Sequence, residues 1–501
     1  MMDLHIIWFR DDLRIHDNAA LNAAVSSGGH VLPLFIFDPS DWAQTERTGR
    51  QFDMLTEAVA DLRTSLQARG ADLCIRTGSP ARILADIHRE HGIRALHFHH
   101  ETSGDFALLR DRRIAQWCRQ AGISLRAQDQ HGIAMKDHPH LAELAADHLS
   151  AACKIAPDTI TMAPIASEGL PSARDLSIAE DDCPARTDGR RASGIALLKA
   201  FLSGRARDYD GQPQAPEGVA ISSRLSAHLA LGTLSSREVW QYASRARFAL
   251  NEDGDSTFVN ALDRFLERLQ SRRRLLQAVE DSTTLSGRAF TPATGPSDNE
   301  NLLMEALMRG RTGFPIIDAA IRCAHHTGWL PYRMRALLMG FATRLLWLDP
   351  NNVAQGLAGL MTDYSPALHY MNVQRMMTGQ PSGQHIVHTS RRLSEHGDFL
   401  RAWLPELAAL NDAEIHAPWD APKASLKRAN VILGQTYPMP IVDHVATASS
   451  ATSAPAEKEF AQPHLPMSGI NRRAPSQAPR RTKKITSPEQ LSFDLGPAVA
   501  A

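Results

Sequence analysis

Hydroxyl and guanidinium groups are concentrated just ahead of a stretch with helical composition, in GVAISSRLSAHLALGTLSSREVW at residues 218–240. The groups belong to Ser222, Ser223, Arg224 and Ser226. Hydroxyls, exposed backbone amides and a guanidinium at the start of a helix form a favourable environment for a phosphate. Serine-rich helix caps that bind no ligand are also common. The segment alone therefore predicts either a phosphate site or a simple helix cap.

Two later segments combine aromatic, basic and acidic side chains at helical spacing. In TGFPIIDAAIRCAHHTGWLPYRMRALL, Trp329, Arg333 and Arg335 lie within two helical turns. In TDYSPALHYMNVQRMMTGQ, Asp363 precedes His369 by six residues. The first group could hold an anionic planar cofactor, or could be ordinary packing with charged ends that reach solvent. For His369 a structural role and a functional role both stay open.

Two smaller clusters suggest weaker sites. Arg273 and Arg274, together with Arg272, predict either a patch that contacts DNA phosphates or a solvated helix face. His97, His99 and His100 follow an apolar run, but no pair of carboxylates accompanies them, so we predict no metal site.

The five cysteines are widely spaced and form no CxxC pair, which argues against a disulfide framework or a metal held by cysteines.

The composition is that of an ordinary globular protein with two domains. The chain has 501 residues, of which 43% are hydrophobic and 22% charged, and its formal net charge is −1. This near-neutral charge argues against a protein coated with positive charge, so any DNA contact must come from local basic patches. No apolar run is long enough to cross a membrane, and we expect a cytoplasmic protein.

The pattern of apolar residues changes once along the chain. Apolar runs such as LHIIWF and VLPLFIF alternate with helical stretches through residues 1–133, which predicts an α/β domain with a parallel sheet. Residues 134–193 show little periodicity and are expected to connect the domains. Apolar residues at three- and four-residue spacing then predict an all-helical domain over 194–444. The Ala-, Ser- and Pro-rich segment 445–501 is expected to be disordered.

Taken in order, several segments resemble the photolyase and cryptochrome family. The resemblance covers nearly the whole chain to about residue 444. It rests on WFRDDLRIHDNAAL (8–21), LPLFIFDP (32–39), RTGFPIIDAAIRCAHHTGWLPYRMR (311–335), HGDFLRAWLPEL (396–407), HAPW (416–419) and YPMPIVDH (437–444). It implies an α/β domain of the photolyase antenna type and an all-α domain that holds FAD in a bent conformation.

Matching by motif carries the FAD contacts of the family onto this chain. Tyr209, Ser222, Ser223, Arg224, Leu225 and Ser226 would hold the diphosphate side. The rest of the cofactor would meet Phe265, Arg268, Arg272, Trp329, Arg335, Asp363 and His369. Of these, His369 would lie beside the flavin N5 atom and alter which redox state is favoured. A second antenna chromophore of unknown identity is also expected.

The resemblance also implies a reaction. In this family a reduced flavin, excited by blue light, donates an electron to a pyrimidine dimer flipped out of DNA, the dimer splits and the electron returns. We therefore expect a DNA-binding enzyme of the deoxyribodipyrimidine photo-lyase type, with His369 and Arg375 as its catalytic residues. The alternative is a cryptochrome-like blue-light photoreceptor or a flavin-binding regulator without repair activity.

The chain departs from the family at positions that matter for repair. Ser271 and Arg375 replace the two aromatic residues that face the dimer, and Arg268 replaces a glutamate. The three tryptophans that pass electrons to the flavin correspond to Leu307, Pro350 and Val373. Trp347, or else Trp240, Tyr364 or Tyr370, could supply a different electron path. The histidine pair of enzymes for 6–4 photoproducts is absent, because Leu330, Pro331 and Tyr332 follow Trp329.

A short peptide near the C-terminus suggests a protein partner. QLSFDL, at residues 490–495, resembles the motif by which bacterial repair and replication proteins bind the sliding clamp. Its anchoring residues would be Gln490, Leu491, Phe493 and Leu495. The basic segment RRTKK before it would act as a flexible tether. A chance match in a disordered tail is the alternative.

Overall fold

The computed structural model describes residues 3–133, 148–209, 221–252, 254–281, 298–378 and 386–442. Its N-terminal domain contains one parallel sheet with strand order β3-β2-β1-β4-β5. The strands are β1 (Leu4–Phe9), β2 (His30–Phe37), β3 (Cys74–Thr77), β4 (Ile93–His99) and β5 (Ser124–Gln128). This arrangement confirms the predicted α/β class of the domain.

Helices cover both faces of this sheet. They are α1 (Ala19–Ser26), α2 (Pro39–Trp42), α3 (Gly49–Gln67), α4 (Pro80–His91) and α5 (Asp105–Ala121). Alternate residues of β1 enter different cores: Ile7 and Phe9 join one, while Ile6 and Trp8 join the other. Because side chains of a strand alternate between its two faces, a strand buried on both sides shows an unbroken apolar run.

The segment after the sheet packs along the N-terminal domain. Met162 forms a bridge with Val31 of β2, and the Ile75 amide of β3 donates to the Ser167 hydroxyl at 2.9 Å. The sequence suggested only a connector with little periodicity. Within its described part, residues 161–168 are held by hydrogen bonds to β2 and β3, which leave no periodic signature.

The second domain is built from helices, as predicted. They are α6 (Arg191–Leu202), α7 (Ser226–Leu231), α8 (Ser236–Glu252), α9 (Ser256–Asp281), α10 (Asp298–Met308), α11 (Pro315–Thr327), α12 (Tyr332–Arg344), α13 (Pro350–Gly359), α14 (Pro366–Thr378), α15 (Ile386–Leu393), α16 (Asp398–Trp403) and α17 (Lys423–Arg428). No helix in the described ranges is long and apolar enough to cross a membrane.

Buried polar contacts join the two domains. Arg50 of α3 pairs with Asp181 at 2.7 Å and donates to the carbonyls of Ala324 and Leu360, each at 3.0 Å. Close backbone contact occurs at Gly232, which has a φ of 67° and ends α7. A Cβ there would lie 2.0 Å from the carbonyl oxygen of Asp11, so only glycine fits.

The C-terminal expectations fall on residues that the structure does not describe. The segment 443–501 lies outside the described ranges, and with it the proposed clamp peptide of Gln490, Leu491, Phe493 and Leu495. Both the disordered tail and the clamp partner therefore stay predictions.

Candidate functional site

A cavity of about 330 Å³ lies among α7, α9, α12, α13 and α14. Most of the predicted site residues line it. They are Tyr209, Ser222, Ser223, Arg224, Leu225, Ser226, Arg268, Arg272, Trp329, Arg335, Asp363, His369 and Arg375. Residues from five separate segments of the sequence thus meet around one space.

Phe265 is the exception among the predicted cofactor contacts. It is 4% exposed and does not line the cavity. Its ring packs at 4.8 Å from the ring of Phe201 and at 6.0 Å from that of Tyr209, measured between centroids. We correct its role accordingly: Phe265 lies in the core behind the cavity and supports Tyr209, which does line it.

The hydroxyl-rich segment forms one end of the cavity. Arg224 has a φ of 58°, and its guanidinium lies 4.6 Å from the ring centroid of Trp329. The Trp329 indole donates to the Ser226 hydroxyl at 3.2 Å. Nε of Arg224 is buried and has no hydrogen-bond partner within the described residues. This end therefore presents a half-buried cation and hydroxyls, the combination that suits a phosphate.

A buried ion pair forms another wall. Nη2 of Arg335 donates to Oδ2 of Asp363 at 2.8 Å, and Nε of the same arginine donates to the Leu330 carbonyl at 2.9 Å. Burial alone would raise the pKa of Asp363, but the charge and hydrogen bond of Arg335 outweigh it and the pKa is lowered. Asp363 is therefore a carboxylate at neutral pH.

His369 is a neutral side chain in this cavity. Burial lowers its pKa to about 4. The distance from Nε2 to the Ala354 carbonyl is 2.9 Å, so Nε2 must carry the proton and donate it to that oxygen. Nδ1 is then an acceptor. A neutral imidazole in this tautomer can accept a hydrogen bond from a ligand, but it is no imidazolium acid at physiological pH.

The three adjacent arginines of α9 do not form one patch. Arg272 faces the cavity and donates to the Leu229 carbonyl at 2.9 Å, and burial lowers its pKa to about 10. Arg273 contacts the Gly132 carbonyl at 3.4 Å, and the exposed Arg274 donates to the Ser271 hydroxyl at 2.8 Å. Successive helix residues point in directions about 100° apart, which separates the three.

The positions that depart from the family have different surroundings. Ser271, Val373 and Arg375 line the cavity, whereas Leu307 is fully buried in the helical core. Pro350 is the first residue of α13, where its missing N–H costs nothing.

Of the aromatic residues considered for an electron path, Tyr364 lines the cavity. Its ring centroid lies 5.6 Å from that of His369, and His369 lies 5.2 Å from Tyr370. Tyr370 donates to a carboxylate oxygen of Glu46 at 2.5 Å. Trp347 is 55% exposed. Trp240 packs beside the core of α6, α8 and α9, away from the cavity.

Helical spacing would have identified cavity residues that motif matching missed. On α9 the residues at positions 268, 271, 272 and 275 line the cavity, and on α14 so do those at 369, 372, 373 and 376. Both sets follow the i, i+3, i+4, i+7 pattern of a single helix face. Tyr332 and Arg333, at the start of α12, also line the cavity.

A second cavity of about 130 Å³ opens at the carboxyl ends of the strands, where it also meets the helical domain through Tyr364. In open parallel sheets this edge is the usual place for a ligand. The guanidinium of Arg10 lies 4.9 Å from the ring centroid of Trp8 and pairs with Asp111 at 2.7 Å. Burial and the charge of Glu101 raise the pKa of Asp11, another lining residue, to about 7.

The three histidines near β4 have separate partners. His97 lies 3.1 Å from His5, His99 contacts Asp12 at 2.6 Å, and His100 contacts Glu280 at 3.1 Å. Within the described ranges no group of three or more His, Cys, Asp or Glu side chains is arranged to hold a metal.

Comparison with known proteins identifies matching family models and relatives of this chain. Residues 5–138 match the family model for DNA photolyase, and residues 265–457 match the model for the FAD binding domain of DNA photolyase. The deoxyribodipyrimidine photo-lyase of Streptomyces griseus is 29% identical over 88% of this chain and 97% of its own. Cryptochrome DASH of Gloeobacter violaceus is 27% identical over 89% and 94%.

The same family emerges from comparison of structures. The bacterial class III photolyase from Agrobacterium tumefaciens superimposes with a TM-score of 0.76 at 27% identity, over 90% of this chain and 97% of that one. The fold, the two matching family models and the relatives agree along almost the whole described length. The chain therefore belongs to the photolyase and cryptochrome family and carries the FAD-binding domain of that family.

Proposed function

We propose that this protein is a light-driven DNA lyase of the deoxyribodipyrimidine photo-lyase type, acting on a pyrimidine photoproduct flipped out of DNA. The observation that carries the proposal is the arginine-rich cavity at the centre of a FAD-binding domain. Bound FAD would supply photochemical electron transfer, which no side chain of the chain provides. The protein itself binds, orients and shields the reacting groups.

The cavity residues fit FAD. Nε of Arg224 and Nε of Arg272 are both buried and lack hydrogen-bond partners in the described part of the chain. Burying a cationic nitrogen without an acceptor is costly, and phosphate oxygens would satisfy such atoms. Ser222, Ser223 and Ser226 would add hydroxyl donors on the diphosphate side.

The remaining cavity residues would position the cofactor and control its surroundings. The Arg335–Asp363 pair fixes a positive and a negative charge on one wall, and neutral His369 offers an acceptor nitrogen beside them. The side chains of Met339, Leu357 and Met361 line the apolar part and exclude water. A preorganised, partly dry site of this kind strengthens electrostatic contacts to a bound ligand.

A photoreceptor or flavin-binding regulator is the second candidate. The observation in its favour is that Ser271 and Arg375 line the cavity where the family places aromatic residues. Neither side chain can stack a pyrimidine dimer as an indole would. Relatives of both kinds, photolyases and cryptochromes, match this chain at comparable identity.

The second cavity is the place we propose for an antenna chromophore. Trp8 and Trp42 supply aromatic walls, and Arg10, Arg47 and Arg110 supply charge. This combination suits a planar ligand with anionic groups.

Light-dependent repair separates the two main candidates. The purified protein should show flavin absorption that bleaches under blue light with a reductant present. If it then converts an oligonucleotide containing a cyclobutane pyrimidine dimer to the undamaged form, the lyase is supported. Bleaching without conversion would favour the photoreceptor, whereas a colourless protein would refute both. The Arg224→Leu variant should lose flavin, while the exposed Arg309→Leu should keep it.

We also propose that the peptide at residues 490–495 binds a sliding clamp. These residues lie outside the described ranges. Binding of the full chain to a bacterial sliding clamp should disappear when Gln490→Ala and Leu491→Ala are combined. Absence of binding by the intact chain would end the idea.

A further inference from the structure

We propose that Thr48, Arg50 and Gln51, at the start of α3 in the N-terminal domain, are positioning residues for the flavin site of the helical domain. They hold the backbone of residues 358–364, called the linking segment below, which joins α13 to α14. None of the three side chains lines the large cavity itself. The inference rests on the proposed function in one respect, because FAD is taken to occupy that cavity.

The linking segment forms part of the cavity wall. The side chains that it contributes to the lining are those of Met361, Asp363 and Tyr364. Asp363 forms the buried ion pair with Arg335 at 2.8 Å. Thr362 donates to the Gly328 carbonyl through its backbone amide at 2.9 Å and through its hydroxyl at 3.1 Å, and the lining residue Trp329 follows directly. A shift of this backbone would therefore displace several lining side chains together.

Four consecutive carbonyls of the linking segment, at residues 358–361, accept hydrogen bonds from the three side chains. The Thr48 hydroxyl donates to the Gly359 carbonyl at 2.9 Å, and Arg50 donates to the Leu360 carbonyl at 3.0 Å. Carbonyls at the end of an α-helix lack the intrahelical partners that earlier carbonyls have. The N-terminal domain thus supplies donors at the point where α13 ends.

Gln51 supplies the other two of these hydrogen bonds. Its side chain is 5% exposed, and its Nε2 atom donates to the carbonyls of Ala358 at 3.0 Å and of Met361 and Glu46 at 3.1 Å each. Three surrounding acceptors fix the orientation of the amide, with its nitrogen rather than its oxygen towards the linking segment. A carboxylate of the same shape would place an oxygen against three carbonyl oxygens.

Arg50 extends the contact to a second helix end. Besides the Leu360 carbonyl, it reaches the Ala324 carbonyl in the last turn of α11, also at 3.0 Å. Trp329 comes shortly after Ala324 in the chain, and Asp363 comes shortly after Leu360. Arg50 therefore joins the two helix ends from which these cavity residues follow.

These contacts should favour flavin binding because they hold the wall in place before the ligand arrives. A site that is already ordered leaves less conformational freedom to be lost on binding. The donors are also hard to replace, since a carbonyl that lost its donor would remain buried without a partner. Removing them should weaken flavin binding even in a protein that stays folded.

Flavin release from the full chain, as purified, tests the inference. Serial dilution well below the melting temperature would be followed by the fluorescence of free FAD, while far-ultraviolet circular dichroism reports the fold. Gln51→Glu should raise the dissociation constant of FAD at least about tenfold, because it replaces a donor with an acceptor at three carbonyls. Thr48→Val should raise it about threefold to tenfold. The Thr48 side chain forms no cap hydrogen bond to α3, so this change leaves the helix start intact.

Arg237→Gln is the matched control for a general loss of contact between the domains. Arg237 belongs to α8, pairs with Asp17 of the N-terminal domain at 2.7 Å, and lines neither cavity. This variant should unfold at a lower urea concentration than the wild type and yet bind FAD with wild-type affinity. Weaker FAD binding in Gln51→Glu than in this control, with both proteins folded, is the result expected of a positioning residue.

The outcomes that would overturn the inference are separate from those that would overturn the lyase. Wild-type FAD affinity in a folded Gln51→Glu, or an equal loss of affinity in Arg237→Gln, would refute the positioning role. If Gln51→Glu does not fold, Thr48→Val decides in the same way. A wild type that retains FAD but repairs no dimer would refute the lyase and leave the positioning role to the variants, whereas a wild type without flavin would refute both.

Discussion

Replacing Asp363 with asparagine should destabilise the helical domain because it leaves Arg335 without its counterion. The two side chains are 7% and 19% exposed, and their closest nitrogen and oxygen atoms are 2.8 Å apart. Asparagine has nearly the same shape, so the change removes charge rather than volume. The Arg335 cation would remain in a cavity already lined by five other arginines.

The magnitude follows from the burial of this pair. Removing one partner of a buried ion pair costs about 3–5 kcal/mol. Because Arg335 is partly exposed, we expect the lower end, about 3 kcal/mol. With a urea dependence of about 2–3 kcal/mol per molar, the unfolding midpoint should fall by roughly 1 M. The matched control is Glu305→Gln, which breaks an exposed pair with Arg309 on the surface and should cost about 0.5 kcal/mol or less.

Urea unfolding of the two variants and the wild type, followed by far-ultraviolet circular dichroism, measures both effects. The same samples give the flavin content from their visible absorption. If Asp363→Asn unfolds at the same midpoint as Glu305→Gln, then the pair is not stabilising and the reasoning from burial is wrong.

Three further outcomes are expected. The pKa of Asp11 is raised to about 7 in the folded protein, so the unfolded chain loses this proton at a lower pH than the folded one. The stability of the fold therefore falls as pH rises from about 4 to 7. We expect Asp11→Asn to raise the melting temperature more near pH 8 than near pH 5. Gly232→Ala should lower the melting temperature, since the new Cβ meets backbone at 2.0 Å, while Gly204→Ala, with open space around it, should not. Tyr364→Phe should slow photoreduction of the flavin measured by absorption, because Tyr364 lines the cavity and a phenylalanine is much harder to oxidise; an unchanged rate would exclude this tyrosine from the path.

The sheet and the helices of this chain were predictable because their signals are local. The run LHIIWF is buried on both faces of the sheet, and the long stretch that forms α9 keeps one apolar face throughout. Arg224 and Asp363 were also correctly expected to meet at one cavity, but only by matching motifs. Nothing local in the sequence indicates that residues so far apart are neighbours.

Features that depend on side-chain direction were not predictable in the same way. Phe265 is three residues before Arg268 on α9, yet it points into the core between α6 and α9 while the arginine points into the cavity. Adjacent arginines of the same helix likewise diverge, so that Arg272 is a cavity residue and Arg274 a surface one. Assigning a helix residue to the cavity, the core or the surface requires knowing how the helix is rotated relative to its neighbours. Tertiary packing determines that rotation.

The helices α9 and α14 each contribute one face to the wall of the large cavity. Arg272 and His369 line it, and so do Arg268 and Arg375, one or two turns away on the same helices. A side chain exchanged on the cavity-facing stripe of either helix therefore alters the wall of the cavity without changing the residues by which the opposite face packs.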